Sequence, residues 1–131
     1  NERVKNTINR ILHTPKGRGK VFFIQSPSSE TVKRILDLCN VTFDVDFVNQ
    51  QPLNYIHKIY DNRSVYYFAN LSKSPRNSEI VLKGKIHPVL FNPHTGETSE
   101  IPFTHQTKNK TEVTVLTLSL DGNSSAFLIE Q

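Results

Sequence analysis

Residues 54–72 constrain the fold more than any other stretch of this chain. Two runs rich in aromatic and β-branched residues, Tyr55-Ile56-His57-Lys58-Ile59-Tyr60 and Val65-Tyr66-Tyr67-Phe68-Ala69, flank a polar Asp61-Asn62-Arg63. Strand-forming runs separated by a short turn signal read as a β-hairpin. The hairpin also divides the chain. Apolar residues recur at helical spacing before it and at a period of two after it.

Before the hairpin, Val4, Ile8, Ile11 and Leu12 mark one face of an amphipathic helix. Thr14-Pro15-Lys16-Gly17-Arg18-Gly19-Lys20 breaks it. The apolar run at residues 21–25 reads as a short strand buried on both faces. Ser26 is expected to cap a second helix, with Pro27 at its first position, where a missing N–H costs nothing. Val32, Ile35, Leu36 and Cys39 supply its buried stripe and Asn40 its stop. One strand cannot make a sheet. Residues 1–50 therefore read as an α/β segment, helix-strand-helix, either closing a preceding domain or packing against the sheet that follows. Within it, residues 43–47 alternate apolar and acidic as a further short strand does, and Asn49-Gln50-Gln51-Pro52 reads as a linker.

After the hairpin the pattern is that of a β protein. Both faces of residues 65–70 carry aromatics, which places that strand inside a sheet. Residues 71–78 read as a polar loop, and Ile80, Leu82, Gly84 and Ile86 alternate as a half-buried strand. Pro88-Val89-Leu90-Phe91 is short and apolar, and a tight turn follows at Asn92-Pro93-His94-Thr95-Gly96-Glu97. Residues 104–110 read as a polar loop and residues 111–120 as the longest strand. Asp121-Gly122-Asn123 is a hairpin turn before a last strand at residues 126–129. Six or seven short strands with this punctuation predict a mainly β fold: an antiparallel β-sandwich over residues 51–131, preceded by the short α/β segment.

Composition narrows the function classes. At 131 residues the chain suits one ordinary domain or a small domain with part of another. No apolar run approaches a membrane span, and no signal-peptide pattern is present. The single cysteine, Cys39, rules out an internal disulfide and reads as a structural thiol. The net charge of +4 is uneven: residues 1–20 hold six basic residues and one acid, and the other 111 hold 10 basic and 11 acidic. The body is close to neutral, and the basic residues at the start read as a solvated surface, not a nucleic-acid footprint. The absence of methionine and the opening at Asn1-Glu2-Arg3 suggest a piece of something longer.

Motifs of catalysis are missing. His13, His57, His87, His94 and His105 never pair at metal-ligand spacing, so no metal and no cofactor is expected. Lys16-Gly17-Arg18-Gly19-Lys20 precedes an apolar run instead of following a strand, which is the wrong order for a phosphate loop. No nucleophile elbow occurs, and no carboxylate pair stands out. Five Asn-X-Ser/Thr triplets begin at Asn40, Asn62, Asn70, Asn109 and Asn123, several of them in expected turns or strands. Tyr55, Tyr60, Tyr66 and Tyr67 offer either a sugar-stacking platform or core and cross-strand packing.

Several of these segments together resemble a known family. Tyr55-Ile56-His57-Lys58, Val65-Tyr66-Tyr67-Phe68-Ala69-Asn70-Leu71-Ser72, Pro88-Val89-Leu90-Phe91-Asn92-Pro93-His94-Thr95-Gly96-Glu97 and Ser125-Ala126-Phe127-Leu128-Ile129 are similar to the C-terminal region of large bacterial α-L-rhamnosidases of glycoside hydrolase family 106. Gly17-Arg18-Gly19-Lys20-Val21-Phe22-Phe23 and Leu36-Asp37-Leu38 look like the closing unit of the domain before it. Phe91 stands where tryptophan is usual in that family, Asn92 where aspartate is and Lys58 where arginine is. The resemblance implies a non-catalytic module, since the family's catalytic carboxylates and metal site belong to an upstream barrel. It implies as partner the catalytic domain of the same polypeptide, with carbohydrate as a further candidate ligand, and a periplasmic or secreted location. Tyr55, His57 and Lys58 become candidates for carbohydrate or inter-domain contact. Rival readings are an independent carbohydrate-binding module and an immunoglobulin-like interaction domain. The leading segment, if cut from its neighbours, is expected to expose apolar surface and to favour self-association.

Overall fold

A computed structural model describes residues 2–13, 21–49 and 51–131. The chain forms two compact units, Asn1–Val41 and Thr42–Gln131.

The first unit contains two helices, α1 (Glu2–His13) and α2 (Ser29–Leu38). The cap of α2 is Ser28, two residues later than the sequence suggested. Its extended backbone lets Oγ accept from the Thr31 N–H at 3.1 Å. Asn40 ends the helix as expected, with φ of 54°. The Asn40 N–H donates to the Asp37 carbonyl and the Val41 N–H to that of Leu36, the two bonds of a Schellman closure with asparagine at the left-handed position. The expected strand at residues 21–25 is not formed, and no strand pairs with it among the described residues. The turn read at residues 14–20 lies outside the described residues. The stripe of α2 is not buried: Val32 is exposed, while Ile35, Leu36 and Cys39 are half-buried. Val4, Ile8 and Ile11 of α1 and Val21, Phe22 and Phe23 are also exposed, so this unit presents much apolar surface.

The second unit is a sandwich of two antiparallel sheets. Its strands are β1 (Val45–Phe47), β2 (Asn54–Tyr60), β3 (Arg63–Asn70), β4 (Arg76–Lys83), β5 (Pro88–Phe91), β6 (Thr98–Glu100), β7 (Phe103–Lys108), β8 (Thr111–Leu120) and β9 (Ser124–Glu130). One sheet has the order β1-β4-β8-β7 and the other β2-β3-β9-β5-β6. The opening hairpin is β2–β3. Its two-residue loop, Asp61-Asn62, has φ of 50° and 60°, the left-handed pair of a type I′ turn, whose twist matches that of the strands. Asn109 and Lys110 join β7 to β8 the same way, with φ of 51° and 64°. Residues 104–110, expected as a loop, are mostly strand. The polar composition of β7 reflects its position at the edge of its sheet, where most of its side chains meet solvent.

Inward-facing residues of both sheets interdigitate in the core. Tyr66, Phe68, Ala126 and Leu128 come from one sheet, and Ile80, Leu82, Leu116 and Leu118 from the other. Leu53, Ile86 and Ile101 close it from the connections. Two buried polar side chains tie the loops to this core. Thr114 donates to the Gly84 carbonyl at 2.8 Å and accepts from the Ile86 N–H at 3.0 Å. Asn70, 1% exposed, directs its amide at the carbonyls of Ser74, Leu120 and Asp121, and its Oδ1 accepts from the N–H and the hydroxyl of Ser72. The β3–β4 and β8–β9 loops are thereby held at one point.

Candidate functional site

The hairpin carries all three residues singled out in the sequence, and strand alternation sends them to opposite faces. Tyr55 and His57 share the inward face of β2, while Lys58 lies on the outward face beside Val65. The three do not converge on one site.

On the inward face, His57 stacks on Tyr66, its cross-strand partner, with ring centroids 4.1 Å apart and planes 12° from parallel. Its Nδ1 meets the Asp44 Oδ2 at 2.6 Å. Asp44 precedes β1 of the four-stranded sheet, and its carbonyl accepts from the Lys83 N–H. The His57–Asp44 pair therefore bridges the two sheets at their β1 and β2 edges. Tyr55 joins this edge through the rings of Phe47 at 6.3 Å and Phe68 at 6.1 Å. Burial, followed by the negative charge of Asp44, pushes the Tyr66 hydroxyl up to about 12. His57 Nε2 and Thr42 Oγ1 are buried without a hydrogen-bonding partner among the described residues, and the buried Tyr66 hydroxyl meets only the Ser64 side chain, without a bond of good geometry. Chemically this is a polar seam in an aromatic edge. It brings an imidazole and a carboxylate together against a buried tyrosine ring. Sequence reasoning singled out His57 but not Asp44, because alternation assigned Asp44 to the polar face of its own strand.

On the outward face, the register aligns five side chains across five strands, twice. One rung runs Ile56, Tyr67, Phe127, Phe91 and Thr98. The next runs Lys58, Val65, Ile129, Val89 and Glu100. Tyr67 and Phe127 lie 5.0 Å apart, and Phe127 and Phe91 5.9 Å. A depression of about 330 Å³, lined by Ile56, Lys58, Val65, Tyr67 and Phe127, opens at the β2 end. Lys58 and Glu100 are exposed, and neither has an ion-pair partner among the described residues.

The other histidines whose side chains are described have local partners. His105 Nε2 donates to the Ile86 carbonyl at 2.9 Å, His87 packs edge-on against Phe103, and His94 Nε2 lies 3.5 Å from the Ser125 hydroxyl. No group of three or more histidine, cysteine or acidic side chains suited to a metal ion occurs among the described residues. Among them too, no helix is long and apolar enough to cross a membrane.

No protein-family model matches the chain, and no curated protein does. Among solved structures, the chain is similar in fold to part of a rhamnosidase from Novosphingobium sp. PP1Y, with a TM-score of 0.69 and 20% sequence identity. The likeness extends over 95% of this chain and 12% of that protein, so the fold described here corresponds to a small part of a much longer rhamnosidase.

Proposed function

We propose that this chain is a non-catalytic C-terminal β-sandwich module of a glycoside hydrolase acting on rhamnose-containing glycans, of the family 106 type. Its role is to support a catalytic domain of the same polypeptide by packing against it or shaping the rim of its cleft. The observation that carries the reading is the fold likeness over nearly the whole chain to a small part of a rhamnosidase. The segments that carry the sequence resemblance add support. They fall on β2, β3, β5 with its following turn, and β9, four adjacent strands of one sheet. In this reading Tyr55 and His57 fix the edge of the sandwich, and Lys58 belongs to its outer surface.

Two assays test it. This chain alone is expected to give no hydrolysis of aryl α-L-rhamnosides. A longer polypeptide containing it is expected to hydrolyse them, and to lose thermal stability of its catalytic domain when residues 42–131 are removed. Robust turnover by the chain alone sinks the proposal, as does a longer polypeptide with no rhamnosidase activity.

A further inference from the structure

The outer face of the five-stranded sheet combines three features. Its two central rungs are apolar in the middle, Lys58 and Glu100 end one of them at opposite edges, with Arg63 the further charge one rung beyond on β3, and the order of residues along these rungs is close to palindromic. The second rung reads Lys58, Val65, Ile129, Val89, Glu100: a charge, three β-branched side chains, then the opposite charge. The first places Phe127 at its centre with Tyr67 on one side and Phe91 on the other. Strands in a sheet lie about 4.8 Å apart, so Lys58 and Glu100 are roughly 19 Å from each other within one molecule. They cannot pair with one another there.

We infer that this face is an interface between two copies of the chain. A two-fold axis parallel to the strands and passing over β9 lays each rung on its own reverse. Lys58 of one copy then faces Glu100 of the other, and Glu100 faces Lys58. Val65 meets Val89, Tyr67 meets Phe91, and Phe127 and Ile129 meet their own counterparts on the axis. Sheets pack face to face at about 10 Å, a gap that a lysine and a glutamate bridge from opposite sides. A two-fold contact of this kind is isologous and closes on itself, so it stops at a dimer. Two strips only two rungs deep bury little area, which puts the contact among weak, transient interfaces. The charges fix its register and direction, and the apolar strip supplies the attraction. The inference is independent of the glycosidase reading.

Sedimentation of the full chain from about 10 μM to about 1 mM, the weak end of specific affinities, tests it. A monomer–dimer equilibrium is expected, weakening as salt rises because the paired charges lie at the rim. K58E and E100K each place like charges together twice in the dimer and are expected to weaken it on the order of tenfold. The double variant K58E/E100K restores it. An equimolar mixture of the two single variants forms a heterodimer, since each then supplies the charge the other lacks. Both substitutions lie at exposed positions, and unchanged thermal melts confirm that the fold is kept. A chain that stays monomeric throughout the range overturns the inference. So does association that K58E and E100K leave unchanged, which would assign it to another surface such as the exposed apolar residues of the first unit. Perturbation of this face by an oligosaccharide in a strictly monomeric chain overturns it in favour of a glycan.

Discussion

At the residue scale, asparagine does more structural work in this chain than its frequency suggests. Of the five Asn-X-Ser/Thr triplets, four begin with a residue of positive φ: Asn40, Asn62, Asn109 and Asn123. Asparagine tolerates that region better than other residues with a side chain, because its short amide interacts locally with the backbone. The fifth, Asn70, is buried and bonds the hydroxyl of Ser72, the third residue of its own triplet. Replacing Asn70 by alanine leaves the carbonyls of Ser74, Leu120 and Asp121 without that donor. We expect a loss of about 3 kcal/mol in denaturant unfolding at neutral pH. Tyr66 gives a prediction with a pH signature. Its folded-state pKa of about 12 lies above the ordinary value of 10.0, so the unfolded chain ionises first. The stability associated with the neutral phenol is complete below pH 10 and is lost as pH rises through 12, a difference on the order of 2–3 kcal/mol. Absorbance titration should show a tyrosine ionising near pH 12. The Tyr66→Phe variant should abolish that step and flatten the alkaline loss of stability. At neutral pH the same variant should be close to neutral, since the hydroxyl it removes is buried and meets only the Ser64 side chain, without a hydrogen bond of good geometry.

At the scale of elements, the turns decide which strands meet. Among the described glycines, Gly122, in the β8–β9 loop, is the one pressed against another segment. A Cβ there would stand 2.1 Å from the Lys73 carbonyl oxygen, which is backbone and cannot swing away. Gly122→Ala is expected to cost about 1–3 kcal/mol and to broaden the amide resonances of both the β3–β4 and β8–β9 loops, because Asn70 holds the two together. The β2–β3 turn behaves differently. Both its residues need φ > 0, so Asn62→Gly should leave the melting temperature unchanged or raise it slightly, and Asn62→Val should lower stability by about 1–2 kcal/mol. The helices show why local signals and burial are separate matters. The α2 stop at Asn40 is a local hydrogen-bond pattern, and the sequence located it. The stripe of Val32, Ile35, Leu36 and Cys39 required an opposing surface, and none of the four is buried.

At the scale of the whole molecule, the core residues among those described lie between Val45 and Leu128, within the second unit. The core cluster of the sandwich is therefore formed by residues within 42–131. That fragment is expected to unfold cooperatively with a midpoint within experimental error of the sandwich transition in the full chain, monitored by near-ultraviolet circular dichroism. A large downward shift would show that residues 1–41 contribute to the sandwich. Among the described residues of the first unit no hydrophobic side chain is buried, and Phe22 and Phe23, which in a sheet of several strands would be among the first residues covered, are exposed.

The sequence by itself determined the elements whose signals are local: the β2–β3 hairpin, the Asp61-Asn62 turn, the end of α2 and the mainly β character after residue 50. These depend on backbone geometry and on alternation within a few residues. It did not reveal β6 or recognise β7 as a strand, because exposed edge strands lack the apolar alternation that marks a half-buried one. Tertiary structure decided which faces the hairpin residues occupy in company. Asp44 is 13 positions from His57 and belongs to the margin of a different sheet, so only the packing of the two sheets brings them to 2.6 Å. Lys58 and Glu100 share a rung for the same kind of reason. Strand order in a sheet is set by long-range pairing, and no periodicity along the chain records it.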